Sequence, residues 1–146
     1  NIPMPISLRP ATENDQPKIT ALINKVRINP RNLNWERFII AEDDGAMVGC
    51  GQIKPHGDGT KELASIAVEP EYQGEGVGSL IMKALLEREP GTLYLVCLKH
   101  NVTYYQKFGF RELTFDEFPP DMKRMFRFAR ILMKLFRVDG CVMRRN

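Results

Sequence analysis

The sequence predicts a single mixed α/β domain, and three observations carry that reading. Its 146 residues are enough for one domain with a real hydrophobic core. Segments of strand and helix character alternate along it in the order β-α-β-β-β-α-β-α-β. No internal repeat, low-complexity tract or linker interrupts that alternation, so the expected domain spans residues 1–146.

The elements follow from local chemistry. Ile6-Ser7-Leu8-Arg9 reads as a first strand closed by Pro10. Asp15 before Pro17 reads as a helix start, with Asp as the cap and Pro tolerated in the first turn. Ile19, Leu22, Ile23 and Val26 then repeat at helical spacing. Asn29 to Asn34 is polar, a loop or a short helix. Two apolar runs, Phe38 to Ala41 and Met47 to Ile53, flank Asp43-Asp44-Gly45 and predict a hairpin. His56-Gly57-Asp58-Gly59 is a further turn, with His56 expected in water. Glu62 to Val68 reads as a central strand buried on both faces.

The second half is read in the same way. Val77, Leu80, Ile81, Ala84 and Leu85 make a helical face that Pro90-Gly91 stops. Thr92 to Leu98 is β-rich, and a short helix from about Asn101 to Phe108 ends on Gly109 as a left-handed cap. Phe110 to Leu113 reads as a strand, and Pro119-Pro120 precedes a long helix over Asp121 to Arg137. Cys141-Val142-Met143 is a last strand.

Composition narrows the function classes. The net charge of +3 and the absence of a Lys/Arg-rich block give no support for nucleic acid as partner. No apolar run approaches the roughly 18 residues that a membrane-spanning helix needs. Three cysteines without paired spacing make neither a disulfide framework nor a zinc site, and His56 and His100 lie too far apart for a metal cluster, so no metal is expected. Cys50 and Cys97 read as buried structural thiols. No signal-peptide pattern opens the chain at Asn1, so a cytoplasmic location is expected, or an organellar one if a leader was trimmed.

The stretch richest in chemistry runs from Ala67 to Ser79, where a strand enters a glycine-rich turn that opens a helix. Gly74, Gly76 and Gly78 let backbone N–H groups approach a ligand, and the helix dipole adds positive potential, an arrangement suited to a pyrophosphate. The alternative is a tight β-to-α turn with no ligand. No Gly-Lys-Ser/Thr makes it a Walker loop, and the strand order does not suit a dinucleotide fold.

Gln73-Gly74-Glu75-Gly76-Val77-Gly78 resembles the signature of the GNAT superfamily of acetyl-CoA-dependent N-acetyltransferases. Tyr105-Gln106-Lys107-Phe108-Gly109-Phe110 is similar to a second family element, and Leu8-Arg9-Pro10-Ala11-Thr12 to a common family opening. The resemblance implies a mixed, mostly antiparallel sheet with helices on both faces. It also implies acetyl-CoA as co-substrate, held by Gln73, Gly74, Glu75, Gly76, Val77, Gly78, Ser79 and Lys107 and by the strand backbone of Ile66, Ala67 and Val68. Tyr105 matches the family's general acid, and Glu62 stands where the family commonly keeps a carboxylate base. Each has a plainer alternative: Tyr105 as a partly buried ring with a satisfied hydroxyl, Glu62 as a strand-end carboxylate facing water.

One spacing departs from the family. Asn101 precedes Tyr105 by four residues rather than the family's seven, so Asn101 reads as a helix cap rather than a pantetheine contact. Tyr94-Leu-Val-Cys-Leu with the Pro119-Pro120 and basic-helix tail is similar to the acetyltransferase part of N-acetylglutamate synthases, though an Arg-Lys-Ser-Lys run associated with that group is missing.

The expected activity is direct acetyl transfer to the primary amine of a small molecule or peptide, with a non-catalytic acyl-CoA sensor as the alternative. Trp35 is open between core anchor and acceptor-pocket wall. On the last helix Lys123, Arg127, Arg130, Lys134 and Arg137 share one face, and Met122, Met125, Phe126, Ala129, Leu132, Met133 and Phe136 share the opposite one. Phe128, Ile131 and Leu135 widen the apolar arc beyond one packed face. That helix is therefore either an ordinary core-packed amphipathic helix, a wall of the acceptor site or an intermolecular contact surface, with a homodimer through Asp121–Arg137 expected ahead of a membrane contact.

Overall fold

A computed structural model describes residues 5–146. Its elements are β1 (Ile6–Pro10), α1 (Gln16–Lys25), β2 (Phe38–Asp43), β3 (Ala46–Pro55), β4 (Lys61–Val68), α2 (Val77–Arg88), β5 (Leu93–Leu98), α3 (Val102–Gln106), β6 (Arg111–Glu112), α4 (Pro120–Phe136) and β7 (Gly140–Arg145). The chain packs as two compact units: one holds the chain up to Lys54 with Leu63–Pro90, the other Pro55–Glu62 with Gly91–Asn146.

In the first unit the strand order is β1-β2-β3-β4, with β1–β2 and β2–β3 antiparallel. Asp44 and Gly45, both at positive φ, form the hairpin turn, as the Asp-Gly signal predicts. Ile19, Leu22 and Ile23 of α1 pack on Phe38, Ile40, Cys50 and Ala67, with Trp35 half-buried against this core as an anchor. On the other face of β3, a Cβ at Gly51 would come within 2.7 Å of Ile81 in α2, so glycine there lets helix and strand close. Helices thus cover both faces, as expected.

Two readings are corrected here. Asp15 makes no capping bond to α1. Its buried carboxylate is bidentate to Arg9 (2.7 and 2.8 Å) and accepts from the Thr12 N–H (2.7 Å), and the Arg9 guanidinium holds it far below the usual carboxylate range. The short polar side chain looked like a cap because the partner six residues upstream leaves no local signal. Likewise β4 is not buried on both faces: only Leu63 and Ala67 are fully covered. Ser65 sits in the left-handed region (φ +58°) within that strand, which interrupts a regular ladder, and its hydroxyl accepts from Gln52 Nε2 at 2.8 Å.

In the second unit β5 pairs antiparallel with β7, and β7 with β6, while the start of β4 pairs parallel with β5 at Glu62 and Tyr94. Met122 and Phe126 of α4 pack on Val142 and Leu113, with Tyr94 and Phe118 beside them. A Cβ at Gly140 would lie 3.0 Å from the Met133 sulfur, so the helix rests closely on β7. Asn101 stands before α3, but its side chain makes no capping bond. The core-packed reading of the last helix holds only in part: Met122 and Phe126 are fully buried with Met133 packed beside them, whereas Met125, Leu132 and Phe136 are exposed together with Phe128, Ile131 and Leu135. Among the described residues no helix is long and apolar enough to cross a membrane.

Candidate active site

In the first unit the glycine-rich turn follows β4. Gln73 donates from Nε2 to the Val68 carbonyl (3.0 Å) and ties the turn to the strand end. Tyr72 donates to Asp43 (2.7 Å) and holds the preceding turn. Gly74 and Gly76 both lie in the left-handed region, φ +81° and +88°, and a Cβ on either would meet open space. Glycine is needed at both positions for the left-handed backbone, not for a close protein neighbour. Gly76 precedes α2, and no side chain caps the helix from that position. Gly78 differs: it is helical, and a Cβ there would touch Val68 and Ile66 in ordinary contact. Glu75 is exposed, Val77 is buried beneath the turn, and Ser79 lies in the first turn of α2. Ile66 and Val68 remain half-open on β4, and Ala67 faces the core.

In the second unit Glu62 does not face water. Its Oε1 lies 2.8 Å from His56 Nε2, and its side chain is 12% exposed. His56 Nδ1 in turn lies 3.9 Å from Asp121 of α4. The turn that carries His56 is closed by its N–H donating to the Thr60 carbonyl (2.8 Å), and Asp58 accepts from the N–H groups of Thr60 and Asp121. Sequence reasoning left His56 in solvent. The one available signal was the pairing of two titratable residues six apart around a tight Gly-Asp-Gly turn.

Tyr105 is half-buried on α3 with its ring edge-on to Tyr104. Burial, then the neighbouring Cys97 and Tyr104, push its hydroxyl up to about 12. Lys107 is exposed at the end of α3. No hydrogen bond among the described residues joins Glu62 to Tyr105. Cys50 and Cys97 are buried, and burial pushes the Cys50 thiol up to about 12, in keeping with inert structural thiols.

A third feature escaped the sequence reading. Glu62, Tyr94, Arg144 and Arg111 stand opposite one another across β4, β5, β7 and β6, a row on one sheet face. The Arg144 Nε is buried and, among the described residues, has no hydrogen-bond partner. A guanidinium nitrogen removed from water without an acceptor is costly unless a ligand supplies one.

Among curated relatives, the amino-acid acetyltransferase of Vibrio vulnificus (strain CMCP6) is 29% identical over 99 residues, covering 65% of this chain and 22% of the relative. That of Ralstonia nicotianae is 27% identical over 143 residues, 89% of this chain and 32% of the relative. The chain thus spans about a fifth to a third of the length of these relatives. Among solved structures, N-acetylglutamate synthase from Neisseria gonorrhoeae complexed with coenzyme A and L-arginine superposes with a TM-score of 0.75 at 23% identity, over 97% of this chain and 33% of that one. That likeness shows the fold. The acetyltransferase (GNAT) domain matches residues 34–112, which takes in the hairpin, the glycine-rich turn and the tyrosine helix, and the chain belongs to the GNAT acetyltransferase family.

Proposed function

We propose that this domain acetylates the α-amino group of a free amino acid, with acetyl-CoA as donor and both substrates bound at once. The observation that carries the acceptor class is the cross-strand row in the second unit: a carboxylate, Glu62, shares a sheet face with a buried guanidinium nitrogen, Arg144 Nε, that lacks an acceptor. A free amino acid brings an amine for the first and a carboxylate for the second. The relatives' name, amino-acid acetyltransferase, supports the same class.

Each half of the chemistry has its residues. The N–H groups of Gly74 to Gly78 suit a pyrophosphate, and the strand backbone of Ile66–Val68 suits the pantetheine amides. A protonated amine has no lone pair for attack, so Glu62 first takes one proton. The freed lone pair then bonds to the thioester carbon, and the nitrogen sheds its second surplus proton as the tetrahedral adduct collapses to the amide. His56 holds Glu62 in place and shields it from bulk water, a positioning role. As the carbon–sulfur bond breaks, the Tyr105 hydroxyl donates a hydrogen bond to the departing thiolate, which takes up through solvent the proton shed by the nitrogen and leaves as the CoA thiol.

Two expected results test the halves separately. Gly76→Val forces a β-branched residue to φ +88° and puts its side chain into the open space beside the turn. Acetyl-CoA should then no longer raise the melting temperature, although the variant folds and free-chain circular dichroism is retained. A folded variant still stabilised by acetyl-CoA removes the turn from the cofactor site. Arg144→Gln should raise the KM for amino acids by roughly 10²-fold, the size of a lost charge-assisted contact, with kcat little changed. The control is a carboxylate-free amine, whose KM should not move. If CoA release is fastest with polyamines or peptides across an amine panel, the amino-acid reading is wrong.

A further inference from the structure

The exposed side of α4 carries two features that acetyl transfer does not use. Phe128, Ile131, Leu132, Leu135 and Phe136 are 58–81% exposed. At 100° per residue they fall within an arc of about 140°, and Arg127, Arg130 and Lys134 fill about 60° beside it. At roughly 180 Å² for each large side chain, the apolar arc offers on the order of 600 Å² to water. That is the upper end of what a monomer tolerates as its largest apolar patch. Beside it runs a groove of about 690 Å³ lined by Arg127, Arg130, Lys134 and Arg137, with Ile131 and Val138 on its walls.

Charge decides what covers this face. Residues 121–137 hold six cations against one acid, a net +5, whereas the whole chain is +3, so everything outside this stretch is net −2. A second copy in two-fold contact would set this helix against itself. Its only acid, Asp121, is already engaged by Arg124, so the cations of one copy would find no carboxylate on the other helix. An anionic lipid surface meets both needs: headgroup phosphates for the groove and acyl chains for the apolar arc.

We propose that α4 docks the domain on anionic phospholipid membranes, lying in the interface with Phe128, Ile131 and Leu135 inserted and Arg127, Arg130 and Lys134 at the headgroups. The full chain is sedimented with vesicles of phosphatidylcholine alone and with vesicles containing about one-third phosphatidylglycerol, with oligomeric mass measured in parallel by light scattering. Partitioning onto the anionic vesicles should exceed that onto the neutral ones by about tenfold or more, and should weaken steeply with salt.

Ile131→Ser with Leu135→Ser should lose most of this binding while the melting temperature holds, since both side chains lie in water in the free domain. Arg127→Gln with Lys134→Gln, which leaves the apolar arc intact, should lower binding to the anionic vesicles alone. Equal partitioning onto both vesicle types, or binding that survives the paired serine change, overturns the proposal. A doubled mass that the serine variant abolishes, with no vesicle binding, overturns it in favour of a second copy.

Discussion

Tyr105→Phe should lower kcat by about 10²-fold and leave the KM for acetyl-CoA nearly unchanged. The size follows from the hydroxyl's environment. Burial pushes Tyr105 up to about 12, so it stays protonated throughout any ordinary assay range. A thiolate of ordinary basicity, near 8.5, is a far weaker base than the Tyr105 phenolate, so complete proton transfer to sulfur would run uphill. What the phenol contributes is a hydrogen bond to charge that exists only as the carbon–sulfur bond breaks. Such a bond is worth about 1.5–3 kcal/mol, which is roughly one to two powers of ten in rate. The same reasoning fixes the sign of the pH dependence: Tyr105 should add no alkaline fall in kcat below about pH 11, because its acid form is lost only as pH rises through its raised value. A Phe variant within twofold of the parent kcat would leave Tyr105 as packing.

The contrast between loop and helix explains what the sequence disclosed. The hairpin at Asp44-Gly45 and the turn at Gln73–Gly78 are specified by neighbours in the chain, because left-handed backbone demands glycine or a short polar residue at that spot. Such features are legible from spacing alone. The Asp15–Arg9 pair, the His56–Glu62 bond and the Glu62–Tyr94–Arg144 row depend on strand register and on which turn meets which side chain. Periodicity supplies a direction for each side chain but no partner, so Asp15 passed for a cap and His56 for a solvated residue. For α4 the pattern located the apolar arc correctly. Which part of the helix the core covers is a matter of tertiary packing, which reaches only Met122 and Phe126, with Met133 beside them.

Glu62→Gln should produce the largest kinetic change. Glutamine keeps the shape of the side chain and still offers an oxygen to His56, so the 2.8 Å contact and the fold should survive. What it loses is the capacity to accept a proton. Only the fraction of amine already deprotonated in water then reacts, and an amine titrating two units above the assay pH is about 1% deprotonated. The kcat/KM for the amine should therefore fall by roughly 10² to 10³-fold near neutral pH and climb back tenfold for each unit of added pH until the amine itself has titrated. The parent enzyme should vary less over that range, because Glu62 takes the proton within the complex. Acetyl-CoA affinity should hold, as the variant leaves the Gln73–Ser79 turn untouched. His56→Asn provides the internal check: Glu62 is kept but loses its partner, so the rate should drop by less than in Glu62→Gln and the pH–rate slope should stay closer to that of the parent. A Glu62→Gln enzyme with the parent's rate and the parent's pH profile would assign proton removal to water and return Glu62 to a structural role beside His56.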